Sequence, residues 1–134
     1  MTSKSLRPEI RWAVEAAQDK QAGDITVLNL SGAGAFAEYF LLCSGRSQPQ
    51  IRAIAEAVDE RLARAGLHLA HREGKTSAEW VLLDYGYFVV HIFSERAREY
   101  YDLERLWRNA ERIDFPAPEK PPETRAESDL GTSR

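Results

Sequence analysis

The sequence predicts an α/β fold, a single domain in which helices pack on a mixed five-stranded sheet. Two observations lead to this prediction. Helical and strand periodicities alternate only in part, in the order α-β-β-α-β-β-β-α, which is typical of a mixed sheet. Residues 79–93 form two apolar runs separated by Asp84-Tyr85-Gly86-Tyr87, as in a tight hairpin with glycine in its turn. Both faces of these runs are mostly apolar, so we expect helices to cover the sheet.

Size and composition favour one globular domain without a membrane or nucleic-acid function. The chain has 134 residues, of which 43% are hydrophobic, and this suits a single core. Its net charge of −3 disfavours a protein that binds DNA or RNA by neutralising phosphates. One cysteine, no signal-peptide pattern and no long apolar run predict a cytoplasmic protein.

The first half of the chain predicts one helix and two strands. An apolar stripe at helical spacing precedes Gly23, which is placed to end the helix soon after Lys20. Residues 24–30 and 36–44 are rich in strand-forming side chains, and the glycine-rich turn 31–35 separates them. The helical stripe consists of Leu6, Ile10, Ala13, Val14 and Ala17.

The second half begins with a well-marked helix. Ser47 and Gln50 form a capping box, and Gly66 is suited to the end of that helix. A short strand over residues 67–71 and the hairpin follow. Ser94 caps a last helix that continues to Ala110. The apolar stripe of that helix consists of Ala97, Tyr100, Leu103, Leu106, Trp107 and Ala110.

The domain is expected to span residues 1–115. Residues 116–134 contain four prolines, many charges and few apolar side chains, which predicts a disordered tail.

No pattern of residues predicts a metal or a cofactor. His68 and His71 lie three apart on a short strand, so they point to opposite faces. Cys43 ends an apolar strand and is expected to be a core residue rather than a nucleophile.

Catalysis is not expected either. Ser44, Asp84 and His91 could in principle form a triad, but a chain of this length offers such triples by chance. The turn Cys43-Ser44-Gly45-Arg46-Ser47 is similar to the start of a nucleotidyltransferase site, yet no neighbouring strand supplies the Asp-x-Asp pair that would hold magnesium. The sequence therefore predicts a protein that is not an enzyme.

Several blocks in one register resemble the ribosomal silencing factor family, also called RsfS or Iojap. The resemblance extends from about residue 16 to residue 110. It is carried by Leu28-Asn29-Leu30, by residues 38–47, 51–55, 79–86 and 89–93, and by Tyr100-Tyr101-Asp102-Leu103-Glu104-Arg105-Leu106-Trp107. Two positions depart from the family pattern, Tyr87 after the hairpin glycine and Ala37-Glu38 in place of the usual Thr-Asp. Neither departure interrupts a predicted strand.

The resemblance implies a nucleotidyltransferase-like fold without catalytic residues. It also implies a partner, the fourteenth large-subunit ribosomal protein, bound at the face where the small subunit docks. Occupying that face would block joining of the subunits and repress translation when nutrients are scarce. A role in large-subunit biogenesis is a further implication. A nucleotidyltransferase-related enzyme and a direct RNA-binding module remain the alternatives.

The matching blocks also supply candidate partner-binding residues. Aromatic and charged side chains dominate interface energetics, and the candidates are of those types. They are Trp80, Asp84, Tyr85, His91, Arg98, Tyr101, Asp102 and Trp107. Each could instead have a structural role, the tryptophans in the core and His91 as a hydrogen-bonded residue of the sheet. Because a mixed sheet often leaves an apolar edge or patch uncovered, a homodimer is expected when the protein is free.

Overall fold

The computed structural model describes residues 6–74 and 78–116, which contain four helices and six strands. The helices are α1 Pro8–Asp19, α2 Gln48–Arg64, α3 Glu95–Tyr101 and α4 Leu103–Leu106. The strands are β1 Gly23–Asn29, β2 Tyr39–Gly45, β3 His71–Glu73, β4 Trp80–Asp84, β5 Phe88–Ser94 and β6 Glu111–Phe115. The tail predicted for residues 116–134 lies, apart from Pro116, outside the described residues.

The strands form one mixed sheet in the order β3-β4-β5-β2-β1-β6. The central strands β2 and β5 are parallel, and all the other neighbours are antiparallel. The predicted α/β class is therefore confirmed, but the sheet has six strands rather than five. The unpredicted strand is β6, an edge strand that pairs with β1. Ile113 and Phe115 supply its apolar face, and charged residues alternate with them.

The hairpin at residues 79–93 is confirmed. β4 and β5 pair with Asp84 opposite Val89. Gly86 has a φ of 95°, a left-handed conformation that glycine adopts without strain. The Asp84 carboxylate accepts a hydrogen bond from the Gly86 amide at 2.8 Å, which fixes the turn.

Helices α1 and α2 cover one face of the sheet, here called the helix face. Its buried residues include Ile10 of α1, Ile54 of α2 and Leu41 of β2. The predicted pair holds the start of α2, since Ser47 Oγ accepts from the Gln50 amide at 3.1 Å. Gln50 Oε1 accepts from the amide of Arg46, one residue before the N-cap, at 2.6 Å. This layer is the larger part of the core.

The opposite face, here called the open face, has a smaller apolar cluster that includes Phe40, Leu42 and Phe93. The C-terminal segment that packs on it is not the single helix predicted from residue 94 to Ala110. The helix breaks at Asp102, whose φ of 49° is left-handed, and a single turn of helix, α4, follows. The short strand predicted over residues 67–71 is also displaced, because β3 begins at His71.

Candidate partner-binding surface

A group of large apolar side chains lies on the open face beside α3 and α4. We call it the aromatic surface, and it consists of Trp80, Tyr100, Tyr101, Leu106 and Trp107. The Trp80 and Tyr101 rings have centroids 4.6 Å apart, and those of Tyr100 and Tyr101 are 5.0 Å apart. Tyr100 is 79% exposed, Tyr101 48% and Leu106 70%. Ring contacts join Trp80, Tyr100 and Tyr101, whereas Leu106 and Trp107 lie at the end of α4. Exposed apolar groups of this size are candidates for an interaction site.

The inner edge of the aromatic surface is held by a buried histidine. His91 is 3% exposed on β5, and its Nδ1 accepts a hydrogen bond from Trp80 Nε1 at 3.1 Å. Phe40 meets the imidazole edge-on at 4.4 Å, and Phe93 stacks on it at 6.0 Å. Burial lowers the pKa of His91 to about 4, so the ring is neutral at physiological pH.

A polar network lies next to this cluster and joins α3 to the sheet. Arg98 donates two hydrogen bonds to the Glu104 carboxylate, both at 3.1 Å, and a third to Ser44 Oγ at 3.2 Å. Arg112 of β6 reaches the same Glu104 carboxylate at 3.0 Å. The hydrogen bond from Arg98 is the main cause of the lowered pKa of Glu104. The network therefore fixes α3 and α4 to the strands beneath them.

A cavity of about 550 Å³ opens beside the network and has an acidic lining. Six carboxylates and two arginines line it, so its charge is strongly negative. The carboxylates are those of Asp24, Glu95, Glu99, Asp102, Glu104 and Asp114, and the arginines are Arg98 and Arg112. Asp102, which lines this cavity, directly follows Tyr101 of the aromatic surface in the chain.

A family model described as "Ribosomal silencing factor during starvation" matches residues 3–133. The chain belongs to this family.

Curated relatives support the assignment over most of the chain. The chain is 40% identical to "Ribosomal silencing factor RsfS" of Bacillus subtilis, over 86% of this chain and 95% of that protein. It is 38% identical to the RsfS protein of Halalkalibacterium halodurans, over 79% and 91% of the two chains. It is 33% identical to "Protein Iojap, chloroplastic" of Arabidopsis thaliana, over 80% of this chain and 46% of that one.

Two solved structures show the same fold. A crystal structure of a protein from Chromobacterium violaceum superposes with a TM-score of 0.71 at 36% identity, over 74% of this chain and 82% of that chain. A crystal structure from Bacillus halodurans gives a TM-score of 0.69 at 36% identity, over 79% and 96% of the chains.

Six of the eight candidate residues lie on the open face or the helices beside it. Trp80, Tyr101 and Trp107 belong to the aromatic surface, and His91 lies beneath it. Arg98 is largely buried in the polar network, and Asp102 is exposed at the break between α3 and α4. Most of the candidates taken from the blocks that match the silencing family therefore lie on one side of the sheet.

The other two candidates take part in the hairpin instead. Tyr85 is buried on the helix face, and its hydroxyl donates to Asp59 of α2 at 2.9 Å. Burial is the main cause of the raised pKa of this tyrosine. The carboxylate of Asp84 faces the turn amide of Gly86. Neither side chain contacts the aromatic surface.

Tyr100 and Leu106 belong to the aromatic surface, although their spacing in the sequence predicted an apolar stripe along one helix. The break at Asp102 lies between the two residues and interrupts the predicted helix, and both side chains are exposed.

The residues considered for chemistry lie apart. Ser44 binds Arg98, His91 binds Trp80 and Asp84 binds its own turn, so these three side chains form no triad. Cys43 is buried as expected, and burial raises the pKa of its thiol to about 12. Within residues 6–74 and 78–116, no helix is long and apolar enough to cross a membrane.

Proposed function

We propose that this protein silences ribosomes as a steric blocker. It binds the large ribosomal subunit through the fourteenth large-subunit ribosomal protein, at the face where the small subunit docks, and so prevents the subunits from joining. The observation that carries this proposal is the match of the silencing-factor family model to residues 3–133. As a result, the protein lowers translation in the cytoplasm when nutrients are limited. The same binding also contributes to biogenesis of the large subunit.

The open face supports the proposal through its chemistry. An aromatic centre supplies large buried area on binding, and such side chains dominate interface energetics. The acidic cavity beside it complements a basic ribosomal protein, which speeds association and sets orientation. A partner that covers both features would contact Tyr101 and Asp102 together.

The polar network favours a binding role over a catalytic one. Two of the carboxylates that line the cavity, Glu104 and Asp114, are each ion-paired with Arg112, and Glu104 is also paired with Arg98. A carboxylate paired in this way is a poor ligand for magnesium. The proposed mechanism therefore needs neither nucleotide nor metal.

A subunit-joining assay tests this function. Purified large subunits are incubated with the protein, small subunits are added, and the products are separated on a sucrose gradient. We expect the joined particle to decrease in proportion to the occupancy of the large subunit, with no nucleotide present. A control in which the protein is added after joining reports whether it acts on the free subunit. Normal joining at full occupancy, or a strict need for ATP or GTP hydrolysis, would contradict the steric mechanism.

We also propose that the free protein is a homodimer at high concentration. The exposed apolar side chains of Phe36, Tyr100 and Leu106 provide a surface that a second copy could cover. If the dimer uses the aromatic surface, the large subunit and the second copy must compete for it. Light scattering should show a dimer that Tyr100→Ala with Leu106→Ala weakens. A monomer up to hundreds of micromolar, an order-of-magnitude limit for weak symmetric contacts, would rule the dimer out.

A further inference from the structure

His91 is a polar ring placed in the middle of an apolar sheet. In the register of the strands it lies opposite Leu42 of β2 and Leu82 of β4. Burying a polar group is unfavourable unless it is hydrogen-bonded. Within the described residues, Nδ1 has a partner, whereas the buried Nε2 has no hydrogen-bond partner. The ring is therefore a costly core residue whose one hydrogen bond goes to Trp80.

That hydrogen bond determines the tautomer of the imidazole. The indole Nε1–H of Trp80 can only donate, so Nδ1 of His91 must carry a lone pair and the ring proton must be on Nε2. The edge-on ring of Phe40 and the stacked ring of Phe93 keep the imidazole plane in place. The acceptor that faces Trp80 is thus fixed in direction.

Trp80 connects this buried acceptor to the outside of the molecule. Its ring lies 5.1 Å from that of Phe93 and 4.6 Å from that of Tyr101, which is 48% exposed. Rotation of an indole about its χ2 torsion has two broad minima, and packing against flat rings distinguishes them weakly. A hydrogen bond from Nε1 distinguishes them strongly, because only one orientation points the N–H at His91.

We propose that His91 is a positioning residue that orients Trp80, and through it Tyr101, in the surface that receives the ribosomal protein. This inference rests on the proposed function. His91 touches no partner itself, since it is 3% exposed. It acts by selecting one orientation of the indole before the partner arrives, which lowers the entropy lost on binding.

Two substitutions, one close to histidine in volume and one smaller, separate positioning from packing. His91→Leu fills the site without an acceptor, whereas His91→Asn places an amide oxygen near the position of Nδ1. Binding to large subunits is measured by co-sedimentation, and the Trp80 indole N–H resonance is followed by NMR, with Trp80→Phe used to assign it. We expect His91→Leu to shift that resonance and weaken binding roughly three- to tenfold, the effect of one lost hydrogen bond. We expect His91→Asn to restore most of the binding.

A double-mutant cycle shows whether His91 acts through Trp80. In the Trp80→Phe background, His91→Leu should have no further effect on binding. Additive losses, or a folded His91→Leu variant that binds as the wild type does, would overturn the inference while leaving the proposed function intact. If wild-type protein does not bind large subunits, the proposed function fails and the inference fails with it.

Should His91→Leu not fold, the wild-type protein still provides a decisive measurement. Nitrogen-15 NMR of the imidazole reports directly which ring nitrogen is protonated at neutral pH. An unprotonated Nδ1 with a hydrogen-bonded Trp80 indole supports the inference. A protonated Nδ1 would overturn it, because that nitrogen could not then accept from Trp80.

Discussion

At the scale of single residues, burial and hydrogen bonding decide the part that each candidate plays. Tyr85 and His91 carry the chemistry of interface residues, but the structure makes one a bridge to α2 and the other an internal acceptor. Strand alternation placed Tyr85 on the same face as Val81 and Leu83, as observed. The sequence could not show which of the two faces two helices would cover. That information lies in contacts between distant parts of the chain.

The buried imidazole makes stability depend on pH. The pKa of His91 is about 4 in the folded protein, below its ordinary value of 6.5, because burial disfavours the charged ring. Between these two values the unfolded chain binds more protons than the folded one, so stability is present above pH 6.5 and decreases as the pH falls toward 4. We expect a loss of about 2 kcal/mol between pH 7.5 and pH 5, measured by urea unfolding.

The comparison for this prediction is His91→Leu, which cannot titrate at that position. Its unfolding free energy should change less over the same pH interval than that of the wild type. Glu79, Glu104 and Asp114, whose carboxyl pKa values are lowered in the folded protein, are present in both proteins, so their contribution cancels in this comparison. Equal pH dependence in the two proteins would show that His91 is protonated alike in the folded and unfolded states.

At the scale of elements, the sequence predicted the features that depend on interactions between residues close together in the chain. The hairpin has its glycine turn and α2 has its capping box, and both are present. β6 was not predicted, because its formation depends on pairing with β1, which lies more than 80 residues away in sequence. The break after α3 was also not predicted, since residues 94–110 keep a helical pattern throughout.

The break at Asp102 permits a test at this scale. A non-glycine residue in the left-handed region is strained, although aspartate and asparagine tolerate it better than other residues. We expect Asp102→Asn to leave the unfolding free energy within about 0.5 kcal/mol of the wild type, and Asp102→Val to lower it by about 1–2 kcal/mol. Thermal and urea unfolding measure both. If the valine variant is as stable as the asparagine variant, then α3 and α4 are joined in some other geometry in solution.

At the scale of the whole molecule, the two faces of the sheet have different roles. The helix face is covered by α1 and α2 and provides most of the core. The open face is covered in part by α3 and α4, and it combines the aromatic surface with the acidic cavity. The negative charge of this cavity lining is local, since the net charge of the whole chain is only −3. If the open face meets a basic ribosomal protein, the affinity should depend on the charge of this cavity, whereas the free energy of unfolding should not.

Two double variants that change the charge equally test whether binding and folding respond to charge differently. Glu99→Lys with Asp102→Asn alters two exposed residues that line the acidic cavity and raises the net charge by three. Attraction to a basic partner is then reduced, so we expect affinity for large subunits to fall at least tenfold, about 1.4 kcal/mol. The unfolding free energy should change by no more than about 1 kcal/mol, because exposed charges contribute little to folding. Co-sedimentation at several salt concentrations measures the first effect and urea unfolding the second.

The matched control, Glu56→Lys with Glu60→Gln, makes the same change in charge on α2, which covers the helix face. If the partner meets the open face, the control should keep nearly wild-type affinity. The salt dependence of binding should weaken in the Glu99 and Asp102 variant alone, since screening acts on charges that approach the partner. Equal losses of affinity in the two variants would mean that net charge governs association. A loss in the control alone would place the interface on α2, and the aromatic surface would then be free for the second copy of the chain.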